Sequence, residues 1–209
     1  MKNIALFLFL FLFFAVLYRI DGVQMLDNSV VRGAEEFRTE AFTALFITIS
    51  DIGSIKVEYP LMIIASVFLL FFRKFLPVIF LWGTFYSTRF INIELKDFFH
   101  RERPSFDAVI HAAHYSFPSG HAMNSTAFYG FLCYIILEGT SLNERKSKWL
   151  ISMTAILVGV IGTSRIYLGV HYLIDILAGF SAGMVWLLIL IKMYEIINAK
   201  IKKSRPVTK

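Results

Sequence analysis

The feature that most constrains this 209-residue chain is the length of its apolar blocks. Residues 3–18 are almost wholly Leu, Phe and Ala, and comparable blocks recur at residues 57–72, 75–93, 119–137, 149–167 and 171–197. A bilayer asks for about 20 residues per helical crossing, and a soluble core has no room for so many runs of that length. Hydrophobic residues reach 57% and charged ones only 17%, against about 25% charged in an ordinary soluble domain. A disordered chain is excluded by the same numbers. The reading is an all-α integral membrane bundle of six transmembrane helices, forming one domain over residues 1–209.

Between the first two spans, residues 21–56 mix acidic side chains with apolar ones at Phe37, Phe42, Leu45, Phe46 and Ile49. That spacing suits an amphipathic segment lying at the interface, or a helix packed against the bundle. A cleaved leader is the rival for residues 3–18, but no small-x-small site follows, so a retained, lipid-facing span is expected. Cys133 is the single cysteine, so no internal disulfide or multi-cysteine metal site can form.

The net charge is +6, and its distribution says what it is for. Arg73-Lys74, the run Arg145 to Lys148 and the tail at residues 198–209 all fall between or after spans, on one side by simple alternation. This is the positive-inside pattern, with both termini cytoplasmic, and not the aromatic-interleaved basic face of a nucleic-acid binder. The same alternation sends two polar stretches, residues 94–118 and 164–171, to the opposite, extracytoplasmic side.

Those stretches hold the residues with chemical potential. Lys96 and Arg103-Pro104, then Pro118-Ser119-Gly120-His121, then Ser164-Arg165 with His171 and Asp175 fall at the outer ends of spans three to six. Ionisable groups at such positions are functional candidates by default. The sequence does not supply three matching acids for Lys96, Arg103 and Arg165, and a phosphate would satisfy them. Ser119 and Gly120 stand where a helix begins, an anion-binding place at which glycine permits close approach. His171 and Asp175, four apart, would share a helical face, with the carboxylate orienting the imidazole as nucleophile. His121 suits proton delivery to a leaving oxygen. Taken singly, each string has a bland reading as a loop corner or an interfacial residue; their order and common side set them apart.

Together the three groups resemble the signature of the type-2 phosphatidic acid phosphatase superfamily: Lys, six residues, Arg-Pro; Pro-Ser-Gly-His; and Ser-Arg, five residues, His, three residues, Asp. The resemblance covers roughly residues 90–180 and is greatest to short bacterial members acting on phosphatidylglycerophosphate or undecaprenyl diphosphate. It implies a membrane lipid phosphatase. His171 would become a phosphohistidine, His121 would serve as acid and then base, and Asp175 would orient His171. Lys96, Arg103, Ser119, Gly120 and Arg165 would hold the phosphoryl oxygens. No metal or cofactor is implied, since the cations supply the electrostatics. The partners are a lipid phosphate and the surrounding membrane lipids, while oligomeric state and the preferred lipid are not written in the sequence. A non-catalytic lipid-phosphate binder or transporter on the same scaffold would have no need of the His171–Asp175 pair.

Other residues carry weaker expectations. His100, His111 and His114 are read as loop residues, with His100 or Arg101 able to touch a head group. Arg89 and Glu94 either pair locally or line the site, and Gly159, Gly162, Gly179 and Gly183 are expected to allow close helix packing.

Overall fold

Helix boundaries follow the local chemistry. Thr39, Ser54, Ser119 and Asn143 each cap a helix by accepting a backbone N–H of its first turn through the side chain. The computed structural model describes residues 2–105 and 107–204, and among them it has eight helices and no strand. They are α1 (Lys2–Leu17), α2 (Asp21–Glu36), α3 (Glu40–Ile52), α4 (Ile55–Phe71), α5 (Phe75–Phe99), α6 (Gly120–Gly139), α7 (Glu144–Tyr167) and α8 (Leu173–Ser204).

Helices α7 and α8 are each long and apolar enough to cross a membrane alone. The pairs α1–α2 and α3–α4 reach that standard only together, across bends of 94° and 43°. Helix α5, at 25 residues, and α6, at 20, have the length, but α5 carries Arg89, Glu94, Lys96 and Asp97. Several boundaries therefore move from those read in the sequence. The mixed region 21–56 divides into α2 and α3, and α3, which packs on α7, leads into α4 across the 43° bend. Helix α5 continues to Phe99, so residues 94–99 are helical and not loop. Helix α8 runs on through Lys200, Lys202 and Lys203, so the basic tail is partly helical, and residues 205–209 lie outside the described residues.

Helix α6 is the centre, packed against α5, α7 and α8, with α1 laid along α8. Gly179 and Gly183 let α8 approach the backbone of α6: a Cβ at either would come within 2.7 Å of a backbone oxygen, of Ser119 or Met123 respectively. Gly162 makes room for Phe180 and Ile176 of α8 in the same way, whereas Gly159 has nothing within 4 Å, so the packing role expected for it is absent. The first helix is not only lipid-facing. Phe11, Ala15 and Tyr18 are buried with Phe117, Met123 and Ile174, while Phe9 and Val16 on the opposite face are exposed.

The direction of the chain alternates through α5, α6, α7 and α8. The C-terminal ends of α5 and α7 thus meet the N-terminal ends of α6 and α8, where the sequence motifs lie. The hydrogen bond from Ser119 N–H to the Asp175 carbonyl (3.0 Å) joins two of those ends directly.

Candidate active site

Helix α5 turns Thr88, Asn92 and Lys96, one turn apart, to the interior. Because the helix extends past the predicted boundary, Lys96 is a buried helical residue whose ammonium donates to the Tyr115 carbonyl. Asn92 donates to the Pro118 carbonyl (3.3 Å), and a Cβ on Gly120 would come within 2.8 Å of its Oδ1. The close packing of α5 on α6 is thus a second constraint on Gly120, beside the ligand approach expected from the sequence. Ser119 is the N-cap of α6 and takes the Ala122 N–H on its Oγ, while the Gly120 and His121 N–H groups of the first turn have no acceptor within the helix.

His171 lies in the short segment before α8, so its partnership with Asp175 does not arise from two turns of one helix as expected. Asp175 is the third residue of α8, and its Oδ2 reaches back to accept from the Tyr172 N–H at 2.9 Å, one half of a capping box. That turn places Oδ2 at 3.4 Å from His171 Nδ1. Ser116 shares the contact: its Oγ is 3.2 Å from His171 Nδ1 and donates to Asp175 Oδ2 at 2.5 Å. On the other side of the ring, Nε2 is 3.2 Å from Arg103 Nη1. Guanidinium can only donate, so Nε2 must be the accepting, unprotonated nitrogen, and Nδ1 carries the proton toward Asp175 and Ser116. Burial pushes the His171 imidazole down to about 3, with Asp175 only partly opposing it, which keeps the ring neutral. The neutral imidazole thus keeps its lone pair on Nε2, on the Arg103 side.

Arg103 is fixed by backbone carbonyls: Nη1 donates to Val170 (2.7 Å), Nε to His114 (2.9 Å) and Nη2 to Ala113 (2.8 Å). Arg165 donates to Ser50 Oγ at 2.5 Å, and its buried Nε has no partner among the described residues. None of Lys96, Arg103 and Arg165 has a carboxylate within salt-bridge distance among the described residues. Lys96 and His171 each feel the Arg103 charge, and His121 feels Arg103, Arg165 and His171. Every motif residue named from the sequence is therefore gathered at this end of the bundle. Two buried cations and the half-buried Arg103, none paired with an acid and one with an orphaned donor, have the chemistry to receive an anion with several oxygens.

Around this set lie Arg101 and Arg89, whose roles the sequence left open, and partners that it did not single out. Arg101 is buried between Asp175 Oδ1 (2.6 Å) and Asp27 Oδ2 (2.7 Å). Arg89 pairs with Glu58 of α4, and Ser125 of α6 donates to the same carboxylate at 3.0 Å. A charge inside an apolar block could have marked Glu58; nothing local marked Ser116 or Asp27. Glu94 is exposed, as are His100, His111 and His114. Among the described residues no three His, Cys, Asp or Glu side chains gather as metal ligands.

The sequence profile of the PAP2 superfamily matches residues 76–198. Phosphatidylglycerophosphatase B of Bacillus subtilis (strain 168) is 31% identical over 204 residues, 98% of either chain. Among solved structures, a transmembrane PAP2-type phosphatidylglycerolphosphate phosphatase from Bacillus subtilis superposes with a TM-score of 0.89 at 27% identity, covering 98% of this chain and all of that one. LpxE of Aquifex aeolicus follows with a TM-score of 0.63 at 26% identity, over 80% of this chain and 95% of its own.

Proposed function

The chain belongs to the PAP2 superfamily, and from that premise we propose that it hydrolyses a lipid phosphomonoester or diphosphate through a phosphohistidine at His171. The observation that carries this reading is the His171 ring, with Nε2 facing Arg103 and Nδ1 held by Asp175 and Ser116. In the first step the Nε2 lone pair attacks phosphorus and the bond to the lipid-side oxygen breaks. His121 gives that oxygen its proton. Lys96, Arg103, Arg165 and the N-terminus of α6 bind the equatorial oxygens and stabilise charge developing on them. In the second step water attacks the phosphorus, His121 takes its proton, and the P–N bond breaks to free phosphate and return the lone pair to Nε2. The cations supply the charge stabilisation throughout, so turnover is expected to be metal-independent.

We further read the bundle as six spans within a single unit. Helix α2 would lie at the interface and the α3–α4 pair would count as one span. The basic connections and both termini would be cytoplasmic and the site extracytoplasmic. The lipid then keeps its tails in the outer leaflet while its phosphate reaches the cations. The similarity to phosphatidylglycerophosphatase B favours phosphatidylglycerophosphate, with undecaprenyl diphosphate and phosphatidate as the other substrates to test.

The test is phosphate release by purified protein in EDTA on those lipids side by side. We expect turnover in EDTA, a preference visible in kcat/KM, and a loss of about 1,000-fold or more in His171→Ala. Activity surviving that substitution would refute the nucleophile assignment. Activity that needs added metal would refute the metal-free mechanism.

A further inference from the structure

Asp175 divides its two oxygens between different tasks. Oδ2 serves His171, Ser116 and the Tyr172 N–H, while Oδ1 accepts from Arg101 Nη1 at 2.6 Å. Arg101 is divided in the same way: its other arm, Nη2, donates to Asp27 Oδ2 at 2.7 Å. Asp27 completes the chain, since its Oδ1 accepts the Ile174 N–H of the first turn of α8 at 3.1 Å. The guanidinium carbon lies 4.9 Å from the Tyr18 ring centroid and 4.2 Å from that of Tyr172. Two buried carboxylates would repel each other without this cation. Burial alone would weaken the charge on Arg101, but Asp175 and Asp27 outweigh it and hold its pKa above the ordinary value.

We propose that Arg101, anchored by Asp27, is a positioning residue for the nucleophile, holding the Asp175 carboxylate ionised with Oδ2 turned to His171. The inference rests on the phosphohistidine reading. It also assigns a role to the part of the chain outside the family-profile match, which begins at residue 76, because the α1–α2 turn contributes Tyr18 and α2 contributes Asp27. Without Arg101, one of the two carboxylates must take up a proton or turn away. Where Asp175 is the one that changes, the Nδ1 proton loses its acceptor and the tautomer is spoiled.

Other charged and titratable groups also face the Asp175–His171 pair. They are Lys96 from α5, Arg103 and the Ser116 hydroxyl from the connection to α6, and His121 from α6. Tyr18 from the α1–α2 turn and Asp27 from α2 face Arg101, with Tyr172 and Glu102 beside it. All remain in the variants except Asp27 where it is named, so differences among the variants report Arg101 and Asp27.

The experiment measures kcat, KM and their pH dependence on phosphatidylglycerophosphate in detergent micelles. It compares wild type, His171→Ala, Arg101→Gln, Arg101→Lys and the double variant Arg101→Gln with Asp27→Asn. We expect Arg101→Gln to lose on the order of 100-fold in kcat with KM within about threefold, and its acid limb to move up by about one pH unit. Arg101→Lys keeps the charge and should keep the wild-type acid limb at an intermediate kcat. The double variant restores the cluster's net charge, so its acid limb should return toward wild type and kcat should recover about tenfold over Arg101→Gln. A merely structural role would lower thermal stability and active fraction in Arg101→Gln while its acid limb overlays that of wild type, and that result overturns the inference. So does a double variant no better than the single one. Equal activity of wild type and His171→Ala would instead bring down the functional reading itself. A dead His171→Ala beside a fully active Arg101→Gln would remove only the positioning role.

Discussion

Substituting Gly179 with alanine tests how tightly the site depends on the contact between α6 and α8. A Cβ there would lie 2.7 Å from the Ser119 carbonyl oxygen, 2.8 Å from Ala122 Cβ and 3.3 Å from the Met123 nitrogen. These are mostly backbone atoms at the start of α6, which cannot rotate away as a side-chain tip can. Relief even to a tight contact of about 3.2 Å requires the two helix ends to separate by about 0.5 Å, and overpacking of this kind costs about 1–3 kcal/mol. The same contact holds the Ser119 N–H to the Asp175 carbonyl bond, so the displacement moves Ser119, Gly120 and His121 away from His171. A misplacement of about 1 Å can cost about 100-fold in rate, so half of that predicts a loss of about tenfold. Gly159→Ala is the control, because nothing lies within 4 Å of its added methyl. It should be neutral or stabilising by up to about 1 kcal/mol through helix propensity. Thermal unfolding by tryptophan fluorescence in one detergent, with kcat measured on the same samples, reads both effects. A Gly179→Ala protein that melts and turns over like wild type, or a Gly159→Ala protein equally impaired, would refute the reasoning.

Three more outcomes follow from the same geometry. Arg89→Met leaves Glu58 buried without its cation and should destabilise by about 3–5 kcal/mol, whereas adding Glu58→Gln should recover most of it, as read by thermal unfolding of the single and double variants. The acid side of the wild-type kcat/KM profile should stay free of a His171 limb down to about pH 5, because the buried ring holds its proton only near about 3. A limb near about pH 6.5 that coincides with the titration of the His171 ring followed by NMR would contradict this. Inorganic phosphate should raise the melting temperature of wild type in a concentration-dependent way, and Arg165→Ala, lacking the unpartnered Nε, should lose most of that protection.

Much of the site was legible because its chemistry is carried by charges that apolar surroundings make conspicuous. Lys96, Arg103, Arg165, His121, His171 and Asp175 stood out for that reason, and the alternation of spans sends them to one end. The supporting residues were harder to read. Ser116 is an ordinary loop serine until folding lays it between His171 and Asp175, and Asp27 sits 148 positions from the Asp175 it helps to hold. Long-range partnerships of this kind leave no periodicity. The boundary of α5 was misread for a related reason: polar residues 94–97 look like loop in a hydropathy trace, yet they continue a helix whose inner face carries Lys96. The break between α2 and α3 was hidden by the absence of proline or glycine at residues 37–39, where the cap is Thr39. Gly159 shows the opposite error, a glycine in an apolar helix that packs against nothing.

The most direct test of the central claim is to trap the covalent intermediate. Protein mixed briefly with lipid carrying a labelled phosphate, in EDTA, is quenched in alkali and mapped by peptide sequencing. The account predicts alkali-stable label on His171, absent from His171→Ala and accumulating in a His121 variant challenged with a good leaving group. Label on any other residue, or rapid turnover with no trapped phosphoenzyme under any quench, would contradict it.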